Sequence, residues 1–371
     1  MPPIYLAANG RFHAFPLASE FARMGHLGGL YAADHHILPP PAVPAGKYHN
    51  RWELKLWRSG ARISGFPFGY SLERSSRLFD RWLIRQLVRE SGGILHGWNS
   101  HVSRTLQDLD PAKWLRCVER SCPHNQFQHD VLLREGDFTG VPYQKDPEFL
   151  AASIQELYDA DVIITPSQYS ARTFVDPELR AKVRINPLGG NFPCRARLPK
   201  SAPLRVLLVG NAFLRKGTHY LIEAFKLISD ASAELWIRGE VPAAYRRRID
   251  DPRVKILSRV SGTELDRLYR EATLFCLPSV DEGFGMVALE AISHGLPIIY
   301  TENCGVADIL QADVGRKVPI RSPEALASAI DQVRGWTADD FCRFDLARAT
   351  VLAENTWGQC AERMISSVYV R

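Results

Sequence analysis

The chain of 371 residues has no apolar stretch of about 18 residues, the length a membrane-spanning helix needs. Its first residues, Met1-Pro-Pro-Ile-Tyr-Leu-Ala-Ala8, lack a basic start and read as a strand, not a secretory signal. Cysteine is sparse: there are seven, an odd number. Cys117 and Cys122 are the nearest pair, and no disulfide or metal spacing emerges, so a reducing, cytoplasmic setting is expected. A formal charge of +5 is too small to imply nucleic acid as a partner. Hydrophobic content of 46% and charged content of 23% exclude a disordered chain.

What is present is alternation. Strands are expected at Ile4–Ala8, Ile94–His96, Trp114–Val118, Ala160–Thr165 and Lys182–Ile185, with helices around 17–24 and 148–158. A segment rich in proline and basic residues, 192–203, reads as a linker. A second series follows it, with strands at Leu204–Val209, Ala233–Ile237, Val254–Leu257, Leu274–Leu277 and Ile298–Tyr300. Strand–helix alternation predicts parallel sheets with right-handed crossovers. The expected fold is therefore α/β: two Rossmann-like, doubly wound domains facing a cleft. Ligands of such sheets bind beyond the carboxyl ends of the strands.

The chemistry concentrates in one stretch, Pro278-Ser-Val-Asp-Glu282-Gly-Phe-Gly285-Met-Val-Ala-Leu-Glu290-Ala-Ile-Ser-His-Gly295-Leu-Pro297. A buried strand precedes it, and Gly295 and Pro297 end the helix that Gly285 opens. Met286 and Val287 then lie at a helix N-terminus, where free N–H groups and the dipole favour an anion. Glu290, one turn inside, can accept from the two vicinal hydroxyls of a ribose. Glu282 can hold sugar hydroxyls, with Gly283, Phe284 and Gly285 shaping the pocket. The second basic feature, Gly210-Asn-Ala-Phe-Leu-Arg215-Lys216-Gly217, follows the strand ending at Val209. Arg215 as a fork and Lys216 as a point charge suit a diphosphate.

This stretch, with the Arg-Lys-Gly loop and Leu221-Ile-Glu-Ala-Phe225, resembles glycosyltransferase family 4, retaining enzymes of GT-B architecture. The likeness is dense over 204–309 and sparse before it, through matches such as Asp161-Val-Ile-Ile-Thr-Pro-Ser167. It implies an N-terminal acceptor-side domain, 1–195, completed by a C-terminal crossover helix, 355–371. Residues 203–354 would form the donor-binding domain. It also implies transfer of a sugar from a nucleotide-diphosphate sugar to a hydroxyl acceptor, with the donor held by Gly10, Gly210, Arg215, Lys216 and the 282–290 set. No cofactor or metal is required. Retention would follow from the leaving diphosphate helping to deprotonate the acceptor. A histidine after the strand ending near Val118 would reach the sugar. His124 is the candidate by position, with His129 and His96 as runners-up. Of the glycine-rich loop usual after the first strand only Gly10 matches; Arg11 and His13 depart from it. The base would sit near Arg259-Val-Ser261 and Leu265.

On the acceptor side, Arg74, Arg77, Arg81, Arg85 and Arg89 share a helical sector of roughly 120°, opposite Leu72, Phe79, Leu83 and Leu87. With the aromatic residues before it, the segment 71–91 suits a lipid-linked or glycan acceptor and peripheral contact with anionic membrane. The role implied is surface-glycan or glycoconjugate synthesis. Two other classes remain open: a nucleotide-sugar epimerase or phosphorylase of the same architecture, and a degenerate binding module without transferase activity.

Overall fold

The computed structural model describes residues 1–63, 68–197, 203–257 and 260–370. Thirteen strands form two wholly parallel sheets among the described residues. The first has the order β3-β2-β1-β4-β5-β6-β7, with β1 Ile4–Ala8, β2 Leu27–Ala32, β3 Tyr48–Asn50, β4 Gly93–Trp98, β5 Trp114–Glu119, β6 Val162–Thr165 and β7 Val183–Ile185. The second has the order β10-β9-β8-β11-β12-β13, with β8 Arg205–Val209, β9 Glu234–Arg238, β10 Val254–Leu257, β11 Leu274–Leu277, β12 Ile298–Thr301 and β13 Gly315–Val318. Each order reverses once, between β1 and β4 and between β8 and β11. Those two points are where open α/β sheets leave a crevice for ligand.

Three strands are absent from the sequence expectation: β2, β3 and β13. β2 carries Gly28 and Gly29 mid-strand, which lowers its strand signal. The close packing explains Gly28, since a Cβ there would lie 2.7 Å from the Tyr5 ring. β3 is three residues long, and β13 is an edge strand carrying Arg316 and Lys317.

Burial follows the pattern expected of sheets covered on both faces. β1, β4 and β11 are buried along their whole length. The basic segment is a helix, Phe68–Leu87. It packs Phe79, Leu83 and Leu87 into the first lobe and leaves Arg74, Arg77, Arg81, Arg85 and Arg89 exposed. The side chain of Leu72 lies outside the described residues. No described helix is long and apolar enough to cross a membrane.

The end of the chain returns to the first lobe. The helix Trp357–Arg363 lies against the helix Ala14–Arg23, and the Cys360 carbonyl accepts from Asn186 Nδ2 at 3.3 Å. Other contacts join the lobes directly. Gln128 Nε2 and Tyr169 OH donate to Asp281 at 2.7 and 2.8 Å, and Ser167 Oγ donates to the Gly283 carbonyl at 2.7 Å. Glu135, fully buried on the helix Asn125–Thr139, takes His219 Nε2 and Tyr220 OH at 3.0 Å and Arg321 Nε at 2.7 Å from the second lobe.

Candidate functional site

The second lobe assembles its site at the β8/β11 reversal. β8 ends at Val209, and the loop that starts with Gly210 delivers Arg215 and Lys216. β11 ends at Leu277, and the loop after it delivers Glu282. The two loops meet: the Glu282 carboxylate lies 3.0 Å from Arg215 Nη1 and 2.5 Å from Lys216 Nζ. Burial alone would raise the Glu282 pKa. The two cations overcome that and push it down to about 2. Arg215 is shifted the other way: burial opposes its charge, but Glu282 and the neighbouring groups hold its pKa above the ordinary value. The sequence assigns diphosphate to the cations and sugar to the carboxylate. In the structure the three form one charge cluster.

Two glycines make the loop possible. Gly283 lies so close to the first lobe that a Cβ would sit 2.0 Å from the Ser121 carbonyl. Gly285 holds φ of +101°, in the left-handed region, and the helix Met286–Ser293 starts from it. Phe284 is buried, and its carbonyl accepts from Val306 N at 2.7 Å.

Glu290 stands one turn into that helix. Tyr269 OH donates to its Oε2 at 2.8 Å. Burial raises its pKa, against the Tyr269 hydrogen bond and the charges of His294, Lys216 and Arg238. Arg238 is a site residue that sequence reasoning missed. It ends β9, its Nη1 reaches Asn211 Oδ1 at 3.3 Å, and its buried Nε has no partner among the described residues. The available signal was a strand-terminal arginine one strand from Gly210. A cavity of ≈ 540 Å³ opens here, lined by Asn211, Arg238, Glu240, Arg246 and Ile256. Of the expected base-binding positions, Arg259 lies outside the described residues. Ser261 caps the helix Gly262–Glu271 through a capping box with Glu264.

The first lobe builds a different centre at its own reversal point. Glu119, the last residue of β5, is buried. Its carboxylate faces His13 Nδ1 at 3.2 Å, His96 Nε2 at 3.2 Å, Trp98 Nε1 at 3.2 Å and Ser121 Oγ at 2.5 Å. Burial would raise its pKa, yet the bonds and charges of the two histidines hold it well below the carboxylate range. His96 Nδ1 meets Tyr369 OH at 2.6 Å, which ties the end of the chain to this centre. Ser121 is also the residue whose carbonyl faces Gly283, so the two centres are one contact apart. Neither Glu119 nor this use of His13 was foreseen.

Gly10 has φ of +153° and lies in the loop after β1. Beside it, Asn9 Nδ2 donates to Ser75 Oγ at 2.7 Å and Ser76 Oγ at 3.0 Å. A cavity of ≈ 500 Å³ lies next to those serines, lined among others by Ser76, Arg77, Arg81, Ser100, His101 and Arg104. His124 caps the helix Asn125–Thr139 by accepting from Gln126 N at 3.3 Å, and its ring packs on Phe174. Burial, then Arg120, lowers its pKa. None of its hydrogen bonds or ring contacts reaches Glu282, Arg215 or Lys216. His129 packs against Tyr143, and His96 serves Glu119.

Among the described residues, one group has metal-ligating atoms close together: Asp34, His35 and His36. His36 Nδ1 already bonds Asp34 Oδ1 at 2.8 Å, and the Arg11 guanidinium lies 3.2 Å from its Nε2. A cation at that imidazole argues against a second one.

Residues 203–334 match the model of the family Glycosyl transferases group 1. Over 172 residues, covering 43% of each chain, this protein is 30% identical to an uncharacterized glycosyltransferase of Methanocaldococcus jannaschii. The chain spans about half the length of the first curated relatives it matches, between 43 and 51%. Among solved structures, sucrose-phosphate synthase of Thermosynechococcus elongatus aligns with 98% of this chain and 97% of its own, with TM-score 0.69 and 20% identity. HepE of Anabaena, in complex with UDP and glucose, aligns with 99% of each chain, with TM-score 0.63 and 14% identity. What is shared at these identities is the fold: two facing parallel-sheet lobes, the GT-B architecture.

Proposed function

We propose that this chain, with GT-B architecture and a group 1 glycosyltransferase stretch at 203–334, transfers a sugar from a nucleotide-diphosphate sugar to a hydroxyl acceptor, with retention. The observation that carries the reading is the meeting of Arg215, Lys216 and Glu282 at the β8/β11 reversal, beside the helix that holds Glu290. Fixed cations beside a helix N-terminus would stabilise charge developing on a leaving diphosphate, the kind of preorganised term that dominates many catalysed reactions. Glu282 would share those cations with the incoming diphosphate and turn toward sugar hydroxyls. Glu290 would hold the ribose, and the cavity at Arg238 the base.

Retention rests on the family resemblance and on one chemical point. A carboxylate paired with two cations is a poor nucleophile, which favours proton transfer to the leaving diphosphate over a glycosyl-enzyme. No metal is needed where two side-chain cations meet the diphosphate. The acceptor is proposed to be a glycan or lipid-linked sugar at the first-lobe crevice, in surface-glycan or glycoconjugate synthesis. Exposed Trp52, Leu56 and Trp57 beside the arginine face of Phe68–Leu87 support peripheral contact with anionic lipid. Co-sedimentation with anionic vesicles, lost in high salt, tests that contact; equal binding to neutral vesicles would contradict it.

The transfer reading is tested by incubating the protein with UDP-glucose, GDP-mannose and related donors, with and without octyl glycosides. Release of the nucleoside diphosphate is the readout. Release by the wild type, reduced at least tenfold in Lys216→Ala, is expected. A wild type that binds a donor but neither hydrolyses nor transfers it would favour a binding module.

A further inference from the structure

We infer that Tyr269 is the positioning residue for the ribose-binding carboxylate, and that Asp266 and His294 lock it to the segment joining the two lobes. The inference rests on the reading of Glu290 as the ribose ligand and adds what sets its strength.

Tyr269 is buried on the helix Gly262–Glu271, with 2% of its surface exposed. Its hydroxyl reaches Glu290 Oε2 at 2.8 Å, and its ring stacks on His294 at 5.0 Å with an interplanar angle of 18°. His294 follows the last turn of the helix Met286–Ser293. Its Nδ1 meets the backbone carbonyl of Glu290 at 2.8 Å, and its Nε2 meets Asp266 Oδ1 at 3.0 Å. Glu290 is thus held at both ends, the carboxylate by Tyr269 and the carbonyl by His294.

Asp266 is the anchor beneath. The same Oδ1 takes Arg195 Nη1 at 2.5 Å, and Oδ2 lies 2.8 Å from Arg270 Nε. Arg195 belongs to the segment between the sheets, and its backbone N donates to the Ser293 carbonyl at 2.9 Å. The inter-lobe segment and the ribose carboxylate therefore share one chain of contacts.

A carboxylate that accepts from a sugar must present a free oxygen in a fixed place. With Oε2 occupied by Tyr269, Glu290 keeps Oε1 for the ligand in one rotamer. Losing the hydroxyl frees the carboxylate to rotate and to protonate. The groups facing Glu290 are Tyr269, His294, Lys216 and Arg238, and removal of the tyrosine hydroxyl leaves burial less opposed. The carboxyl then titrates at higher pH.

The test is titration calorimetry of the full chain with UDP, GDP and ADP and with their 2′-deoxy counterparts. The wild type should prefer one ribonucleotide over its 2′-deoxy form by about tenfold, the value of a hydrogen bond to a charged group. Tyr269→Phe, which keeps the stacked ring, should bring that ratio below about threefold and cost the 2′-deoxy forms, which keep only the 3′-hydroxyl for Glu290, less than the ribo forms. The acid limb of ribonucleotide affinity should move to higher pH. Asp266→Asn leaves tyrosine and glutamate in place and should lower the ratio in the same direction. An unchanged ratio in both variants would overturn the inference, as would an equal loss of ribo and 2′-deoxy affinity. A wild type that binds none of the six nucleotides would overturn the donor-site reading itself.

Discussion

Each lobe places a buried carboxylate at or beside the point where its strand order reverses, and the two are neutralised differently. In the second lobe Glu282 is paired with a guanidinium and an ammonium, those of Arg215 and Lys216. In the first, Glu119 meets the imidazoles of His13 and His96. One centre is a fixed charge cluster suited to a diphosphate. The other is a hydrogen-bonded network in which one carboxylate meets two imidazoles, an indole and a hydroxyl.

The largest effect is expected at Glu282. Glu282→Gln removes the counter-charge from buried Lys216 and half-buried Arg215, a change that costs about 3–5 kcal/mol when a buried pair is broken. Turnover is expected to fall at least about a hundredfold, and denaturant unfolding should show the lost stability. Donor turnover within threefold of wild type would remove Glu282 from the site.

Glu119→Gln sharpens the contrast through pH. The folded carboxyl lies below its ordinary 4.5, so its contribution is present above that pH and lost as pH falls toward the folded value. The variant should therefore be less stable by about 3 kcal/mol at pH 7, with the deficit shrinking below about pH 4.5. Nucleotide affinity should stay near wild type. A pH-independent deficit would contradict the ionised, histidine-bound carboxylate.

Lys216→Ala should lose at least tenfold in turnover with little loss of Tm, because Arg215 still neutralises Glu282. His124→Ala is expected to be the mildest change. It removes a helix cap, worth about 1 kcal/mol, and leaves turnover within threefold. A hundredfold loss would instead place His124 in the chemistry.

The same contrast explains what the sequence could reveal. Glu282, Gly283, Gly285 and Glu290 lie in one loop and the helix it opens, so spacing alone brings them together. Arg215 and Lys216 are legible because they follow a strand that reads cleanly from Leu204. Glu119, His13 and His96 belong to β5, the β1 loop and β4, so only the sheet order makes them neighbours. Tyr269 and Arg238 were hidden for the same reason. His124 was chosen by its place after β5, and position in the chain could not say that its ring would turn to cap its own helix. The overall α/β alternation was readable. β2, with two glycines, and the short or polar edge strands β3 and β13 were not, since they lack the apolar runs that mark buried strands.

The central claim is that Glu290 and the Arg215–Lys216–Glu282 cluster form a nucleotide-sugar site. Its most direct test is a thermal-shift panel of UDP, GDP, ADP and their sugars on wild type and Glu290→Ala. A ligand at 100 times its dissociation constant stabilises by about 2.7 kcal/mol, enough to raise Tm measurably. A shift with one base, smaller in the variant, is expected. No shift with any nucleotide, or an equal shift in Glu290→Ala, would contradict it.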